Sequence, residues 1–237
     1  MSKLKNLLRQ TIQNASHRSI GFAHETNTRP NPQMLIMAKA SNKTESQKLL
    51  KSGCNIIISE KNNAFDNDKN PIGIQIESPT AEVITDLVMK NIDFVIFDHE
   101  QTPANAFGDS EIGQILSVNT PDDDQLKILK FIQNIDAAFV GTIPEPFLMK
   151  DQLNFRMIAA SLNAPLIALV ESLPSINDLI AFRNSGILVV LTPNDLNLIT
   201  EISNAILEMP LQQITATTNA FSPMIPSTVG SSEEHNH

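Results

Sequence analysis

The sequence predicts an α/β fold, a (β/α)8 barrel of the TIM type, and three observations lead to this prediction. Eight short apolar runs recur along the chain, and helical stretches separate most of them. These runs are continuously apolar rather than alternating, which is typical of parallel strands buried on both faces. The chain has 237 residues, a length that such barrels commonly use as one domain.

The apolar runs are the predicted strands. In chain order they are MLIMAK (34–39), NIIIS (55–59), IGIQIE (72–77), DFVIFD (93–98), QILSVN (114–119), AAFVG (137–141), LIALVE (166–171) and ILVVLT (187–192). The clearest predicted helices between them are TAEVITDLVMKN, DDDQLKILKFIQN, FLMKDQLNFRMIAASLN and SINDLIAFRNSG. Leu126, Leu129 and Ile132, for example, recur with the spacing of one helix face. Residues 101–113 leave room only for a short helix, so an open doubly wound sheet is the alternative.

Small polar residues, prolines and glycines mark the ends of the predicted helices. Ser78, Thr120 and Thr192 each follow a strand and precede a proline, which is the pattern of an N-cap with proline in the first helical position. Gly53 and Gly186 lie where a helix ends and a strand begins, as C-cap glycines do. These signals support alternating helices and strands.

The chain divides into three predicted segments. Residues 1–33 form an N-terminal helix and a lead-in loop, residues 34–210 form the barrel, and residues 211–237 form a disordered tail without periodicity. Leu4 and Leu8 belong to one apolar face of the N-terminal helix. We expect that face to pack against the domain, although its basic residues also suit an anionic membrane surface.

Composition excludes several classes of function. The net charge is −9, there is no basic stripe, and Trp and Tyr are absent, so we expect no nucleic-acid partner. No apolar run is long enough to span a bilayer, and the N-terminus lacks the continuous apolar stretch of a signal peptide, so a cytoplasmic protein is predicted. The single cysteine, Cys54, excludes an internal disulfide and is predicted to be a buried strand thiol.

Chemistry in a (β/α)8 barrel takes place at the C-terminal ends of the strands. The polar residues at or just beyond these ends are Lys39, Glu60, Glu77, Asp98, His99, Glu100, Asn119, Glu145, Glu171 and Asp195. Crowded carboxylates raise one another's pKa unless a cation intervenes, and Mg²⁺ or Mn²⁺ is bound by such oxygens. The structural alternative is that individual carboxylates cap helices or face solvent. No GxGxxG follows a strand and no GxxxxGK is present, so no nucleotide-phosphate loop is predicted.

From residue 71 to about 200, the order of motifs resembles the class II hydroxy-keto-acid aldolases, the group of the HpcH-type aldolase and the citrate lyase β-chain. The similar segments are GIQIESPTAEVITDLVMKNIDFVIFDHEQTPAN, ILSVNTPDDDQLKILKFIQNIDAAFVGTI and LIALVESLPSINDLIAFRNSGILVVLTPNDL. The resemblance implies that Glu171 and Asp195 are the two metal-binding carboxylates. It also implies that Asp98 and Glu100 are the acidic pair of the opening loop.

This sequence departs from the aldolase pattern in two residues and in topology. Gln101 stands at the catalytic His position, with His99 two residues earlier, and Ser117 lies near the position of the substrate-binding Arg. Neither replacement can perform the original role. The similar region begins at the third predicted strand, which suggests a circularly permuted barrel. Residues 19–208 also resemble a family of bacterial barrel proteins of uncharacterised activity that share an IGF segment and a Phe-Val-x-x-Asp-x-Glu-x-Thr-Pro-Ala loop.

Three functions are therefore predicted as alternatives. The first is a diverged barrel that binds a small acidic ligand or a divalent cation, with weak or no catalysis, using Lys39, Gln101 and Asn119 as ligand-binding residues. The second is an active metal-dependent carbon–carbon lyase on keto acids, in which His99 or Glu100 replaces the missing base beside Asp98. The third is a non-enzymatic scaffold or interaction protein. A homo-oligomer is compatible with all three.

Overall fold

The computed structural model describes residues 2–15, 32–60, 69–118, 121, 123–132 and 134–210. They form a closed barrel of eight parallel strands in the order β1 to β8. Closure is made by β1 and β8, where Leu35 aligns with Val189 and Ala38 with Thr192. This confirms the predicted (β/α)8 fold over the open sheet. Adjacent first and eighth strands are also what a circular permutation requires, and the permutation itself stays a prediction.

The strands lie close to the predicted apolar runs. They are β1 (Leu35–Ala40), β2 (Ile56–Ser59), β3 (Ile72–Gln75), β4 (Phe94–Asp98), β5 (Gly113–Ser117), β6 (Ala137–Thr142), β7 (Leu166–Leu169) and β8 (Ile187–Thr192). The helices are α1 (Lys3–Ala15), α2 (Lys43–Lys51), α3 (Ala81–Met89), α4 (Asp123–Leu129), α5 (Met149–Leu162), α6 (Ile176–Asn184) and α7 (Leu196–Glu208). None of these helices is long and apolar enough to cross a membrane. The predicted tail, residues 211–237, lies outside the described residues.

The β4–β5 connection differs from the expected short helix. Residues 99–112 form turns, and no helix lies among them. Instead Phe107 packs on Phe97 of β4, with 4.6 Å between ring centroids, and Ala106 is buried beneath the loop. Two apolar side chains thus cover the outside of β4, where other strands are covered by a helix.

Two of the predicted N-caps are wrong, and the third, Thr120, lies outside the described residues. Thr80, not Ser78, caps α3 by accepting from the Val83 amide. Asp195, not Thr192, caps α7. In both cases the chain continues two or three residues beyond the proline before the helix begins.

The C-cap glycines are where the sequence places them. Gly53 and Gly186 follow the ends of α2 and α6 with φ of 107° and 92°. A side chain strongly disfavours this left-handed conformation, so glycine is the residue that allows the turn into the next strand.

Phe94 fills the centre of the barrel at the level where the strands begin. A Cβ added to Gly73 would lie 2.2 Å from the Phe94 ring, and one added to Gly113 would lie 2.9 Å from Phe94 Cβ. The two glycines on the neighbouring strands therefore make room for one large side chain. Further from this level the interior is filled by Ile58, Ile96 and other inward-facing residues.

Helix α1 closes the bottom of the barrel, which is the end where the strands begin. Leu4 and Leu8 are 0% and 3% exposed and join the cluster inside the barrel. The Asp93 carboxylate, just before β4, accepts hydrogen bonds from the Lys3 and Leu4 amides at 2.7 and 2.8 Å. It also accepts one from the Ser2 hydroxyl at 3.0 Å. The first turn of α1 is thus capped by the side chain of a residue that lies far away in the sequence, just before β4.

Two further polar groups at the bottom have partners. The Asp136 carboxylate, before β6, pairs with Lys5 of α1 at 3.2 Å and accepts from the Gln114 amide at 3.0 Å. Arg183, in the last turn of α6, donates to the Gln33 side chain and to the Pro210 carbonyl. Burial lowers the pKa of the Arg183 guanidinium. The two hydrogen bonds from Arg183 connect the segment before β1, at Gln33, with the segment after α7, at Pro210.

Candidate functional site

Two cavities open on the C-terminal side of the barrel, one of about 370 Å³ and one of about 530 Å³. The larger, about 530 Å³, lies over the barrel axis, and we call it the mouth. Its floor is apolar and consists of Ile58, Ile96, Phe139, Leu169 and Leu191. A floor of this kind excludes water from beneath a small molecule and favours apolar contact.

Strand alternation carries polar side chains into the mouth. Every second residue of a strand faces the same side. Met37 belongs to the inner cluster, so Lys39, two residues later, also faces inward. Gln75 follows Gly73 on β3 in the same way, and Glu171 follows Leu169 beyond β7. Lys39 is the only Lys or Arg side chain that lines the mouth within the described residues.

Lys39 and Glu171 lie at the same height on either side of β8. Ala38 aligns with Thr192, and Leu169 aligns with Leu191. The Val170 amide continues this ladder by donating to the Leu191 carbonyl at 2.9 Å. Lys39 and Glu171 are therefore two strand spacings apart, roughly 10 Å between backbones. A molecule between them meets a cation at one end and a carboxylate at the other.

The polar side chains of the mouth differ in whether they have partners. Across the described part of the chain, the side chains of Lys39, Gln75 and Glu171 make no hydrogen bond or ion pair. Glu60, by contrast, accepts from the Ser41 hydroxyl, and Asn194 donates to Glu45 at the rim. The first three side chains are therefore free to bind a ligand without breaking an existing bond.

Asp98, His99 and Glu100 lie together in the second cavity, of about 370 Å³, between the ends of β4 and β5 and helix α4. The Asp98 carboxylate accepts from the Glu100 amide at 2.9 Å. His99 Nδ1 is 3.6 Å from Asp98 Oδ1, so these adjacent side chains do not point to opposite faces as two successive residues of a strand would. His99 belongs to the turn after β4 and no longer follows strand alternation. Ser117, the β5 partner of Asp98, lines the same cavity.

The remaining predicted ligand-binding residues are not brought together in the mouth. Gln101 is exposed and lines neither cavity, and its carbonyl accepts from the Ser78 hydroxyl at 2.7 Å. Asn119 lies outside the described residues. Two inward-facing polar residues at strand ends were not predicted as site residues, namely Gln75 in the mouth and Ser117 in the second cavity. Counting every second residue forward from Gly73 and Ile115 would have found them.

Of the two carboxylates predicted to bind a metal, only Glu171 lines the mouth. Asp195 accepts from the Asn197 and Leu198 amides at 2.9 and 3.3 Å, as the cap of α7. Its lone pairs on one oxygen are therefore already engaged. In the parts of the chain that are described, no three His, Cys, Asp or Glu side chains are grouped to bind a metal ion.

Comparison with known sequences gives a limited relationship. No protein-family model matches the chain. The iron–sulfur cluster carrier protein of Methanocaldococcus jannaschii is 26% identical over 110 residues, which are 45% of this chain and 32% of that protein. The chain thus spans about a third of the length of this relative. Iron–sulfur clusters are typically held by several thiolates, whereas this sequence has one cysteine.

Comparison with solved structures identifies (β/α)8 enzymes. Tryptophan synthase from M. tuberculosis superposes with a TM-score of 0.58 and 8% identity, over 87% of this chain and 98% of that chain. The YdjI aldolase from Escherichia coli gives 0.53 and 11% identity, over 86% and 92%. Phosphoribosyl anthranilate isomerase from Thermococcus kodakaraensis gives 0.52 and 12%, over 73% and 98%. At such identities these likenesses show the barrel fold alone.

Proposed function

We propose that the protein is a diverged aldolase-like barrel that binds a small organic acid in the mouth, with weak or no catalysis. The observation that carries this proposal is the position of Lys39. Its ammonium group has no partner among the described residues and stands over an apolar floor. A ligand carboxylate gives that ammonium a charge-assisted hydrogen bond, which is stronger than a neutral one.

The rest of the mouth defines the ligand further. The apolar floor receives the carbon skeleton, and Gln75 can donate or accept a hydrogen bond along it. Glu171 has acceptor capacity only, so it selects a hydroxyl or an ammonium group on the side of the ligand away from Lys39. A hydroxy acid or an amino acid of modest size satisfies both ends. A plain dicarboxylate would place a second anion against Glu171 and should bind more weakly.

The proposal is tested by isothermal titration calorimetry with lactate, alanine, pyruvate and succinate as probes. We expect the hydroxy acid or amino acid to bind more tightly than succinate. Lys39→Met should weaken binding at least tenfold, because a hydrogen bond to a charged group contributes about 1.5–3 kcal/mol. Lys51→Met, which removes an exposed lysine from α2, is the matched control and should bind like the wild type. Binding that is unaffected by Lys39→Met contradicts the proposal.

A metal-dependent lyase is the second candidate, and the unpartnered Glu171 carboxylate in the mouth favours it. In this alternative Mg²⁺ or Mn²⁺ binds Glu171, the Asp195 oxygen that does not cap α7 must turn towards the same ion, and His99 or Glu100 acts as the base beside Asp98 from the second cavity. A cation at a hundred times its dissociation constant stabilises the fold by about 2.7 kcal/mol. Thermal unfolding by far-UV circular dichroism should then shift with the ion, and Glu171→Gln should abolish the shift. An unfolding midpoint that no cation moves would leave the binding or scaffold function.

A further inference from the structure

The mouth carries more negative than positive charge. Among the described side chains that line it, Glu60 and Glu171 are carboxylates and Lys39 is the one cation. Glu45 adds a further carboxylate at the rim, where it accepts a hydrogen bond from the lining residue Asn194. The net charge of the whole chain, −9, has the same sign. A ligand that brings only a carboxylate would therefore increase the negative charge of the mouth.

Glu60 stands above Lys39 at the entrance of the mouth. Lys39 aligns with Ile58 of β2, and Glu60 follows Ile58 by two residues, on the same side of the strand. The Glu60 amide continues the ladder by donating to the Ala40 carbonyl at 3.1 Å. The backbone of Glu60 is thus one strand spacing from that of Lys39 and two residues nearer the solvent, a separation of about 8 Å. A carboxylate bound by Lys39 therefore lies near a second negative charge.

The loop after β1 holds the Glu60 side chain in this position. The Ser41 hydroxyl donates to a Glu60 carboxylate oxygen, and the Ser41 amide donates to Glu45 Oε2 at 2.6 Å. Within the described parts of the chain, the Lys39 ammonium has no ion-pair partner, although Glu60 is its neighbour. Ser41 thus keeps the Glu60 charge at the entrance and leaves the ammonium available to a ligand.

Lys39 and Glu171 can reach the two charged groups of one small molecule. Their backbones lie at the same height on either side of β8, and Pro193 lines the mouth between them. Proline has no N–H to donate to Glu171. An α-amino acid carries its carboxylate and its ammonium on one carbon atom, so it gives each of the two side chains an oppositely charged partner. A hydroxy acid offers Glu171 only a neutral hydroxyl.

The apolar floor of the mouth suits the side chain of such an amino acid. The cavity of about 530 Å³ lies within the size range of small-molecule sites. Each CH₂ group buried on an apolar surface increases affinity roughly fourfold. A branched aliphatic side chain can cover the floor, whereas the methyl group of alanine leaves most of it exposed to water.

We propose that the ligand of the mouth is a zwitterionic α-amino acid with an aliphatic side chain, and that Glu60 excludes ligands with a net negative charge. This inference rests on the proposed binding of an organic acid at Lys39 and specifies the class of that acid. Lys39 binds the carboxylate of the ligand and Glu171 binds its ammonium group. Glu60 determines specificity at a distance, because it repels an anion whose charge no ammonium group compensates.

Leucine and 2-hydroxy-4-methylpentanoate are the matched probes, because they differ only in an ammonium and a hydroxyl group. In isothermal titration calorimetry with the full chain, leucine should bind at least tenfold more tightly than the hydroxy acid and than alanine. A like charge about 8 Å away weakens binding roughly twofold in water and more at a protein surface. Glu60→Gln should therefore reduce the preference over the hydroxy acid at least threefold, mainly by strengthening binding of the hydroxy acid.

Glu208→Gln is the matched control for this substitution. Glu208 is exposed at the end of α7, on the bottom of the barrel, and its replacement removes the same charge. The preference for leucine should stay at the wild-type value in this variant. Far-UV circular dichroism of both variants verifies that the barrel is intact.

Ionic strength provides a second measurement, on the unaltered chain. Raising NaCl from about 20 to 500 mM shortens the range over which exposed charges interact. The wild-type preference for leucine over the hydroxy acid should then fall towards that of Glu60→Gln, and the preference of the variant should change less.

Three results would overturn this inference while the proposed function stands. One is a hydroxy acid that binds as tightly as leucine and depends on Lys39. Another is a preference for leucine that is the same in Glu60→Gln and Glu208→Gln. The third is alanine that binds as tightly as leucine. If neither probe binds, or if Lys39→Met does not weaken their binding, the proposed function itself is contradicted, and this inference with it.

Discussion

The two ends of the barrel differ in how their polar groups are satisfied. At the bottom, Asp93, Asp136 and Arg183 each have at least two hydrogen-bond or ion-pair partners, although the Nε–H of Arg183 is buried without one among the described residues. At the mouth, Lys39 and Glu171 have none among the described residues. Both ends consist of the same strands, so the difference lies in the connecting segments and in helix α1, which covers only the bottom.

This contrast separates stability from function. A buried or half-buried polar group without a partner costs free energy, so a region selected for stability satisfies its donors and acceptors. An open surface tolerates unpaired groups because water solvates them, and a ligand can then replace that water. The bottom of the barrel should therefore respond to substitution through unfolding, and the mouth through binding.

The largest expected effect is at the bottom, where Phe94 fills the space above Gly73. In Gly73→Ala the new methyl group would lie 2.2 Å from the Phe94 ring. The ring is fully buried and can move only by displacing the core, so we expect a loss of about 3 kcal/mol or more in the free energy of unfolding. Urea denaturation measures it. Gly108→Ala is the control: φ is +46° but nothing lies within 4 Å, so the cost should be about 1 kcal/mol.

The next effect concerns the attachment of α1. Asp93→Ala removes the acceptor of three hydrogen bonds from residues at the start of that helix. We expect the free energy of unfolding to fall by about 2–3 kcal/mol, because these are hydrogen bonds to a charged group. Asp109→Ala, in the exposed β4–β5 loop, should change it by less than about 0.5 kcal/mol. Equal effects of the two substitutions would mean that the hydrogen bonds of Asp93 to the start of α1 contribute nothing measurable to stability.

Alkaline pH should destabilise the bottom through Cys54. Burial raises the pKa of this thiol to about 12, whereas an unfolded chain has about 8.5. The folded pKa is the higher one, so the stabilisation is complete below pH 8.5 and is lost as pH rises towards 12. One pH unit above 8.5, the free energy of unfolding should have fallen by about 1.4 kcal/mol. The chain has no tyrosine, and lysines titrate mainly above this first pH unit, so Cys54→Ala should remove most of the fall between about pH 8.5 and 9.5.

The smallest expected effect on stability is at the mouth. Lys39→Met and Glu171→Gln should each change the free energy of unfolding by less than about 0.5 kcal/mol, because both side chains are exposed and unpaired. Both substitutions should nevertheless weaken binding of a hydroxy acid or an amino acid at least tenfold. Chemical denaturation and calorimetry on the same samples separate the two effects. A large loss of stability from either would remove the distinction between the two ends.

The sequence was sufficient for the fold but only partly for the site. Continuous apolar runs place the strands, since burial on both faces leaves little choice of residue type. Lys39 and Glu171 were identified because strand ends can be located from the same runs. Asp195 caps α7, but the sequence did not distinguish it from these two residues of the mouth. Its role depends on where α7 begins, and the Thr192–Pro193 pair suggested that the helix begins earlier in the chain. Helix starts depend on a few hydrogen bonds, which a single sequence determines weakly.

Helix α1 has a consequence for the order of events during synthesis. It precedes all eight strands in the chain, yet Leu4 and Leu8 contact a cluster that includes Leu188 and Val189 of β8. Its docking surface is therefore complete only when the last strand has been made. Until then the apolar face of α1 is exposed on a nascent chain, where such surfaces aggregate or recruit chaperones. The first helix to leave the ribosome among the described elements thus cannot reach its final place until the last strand has been made.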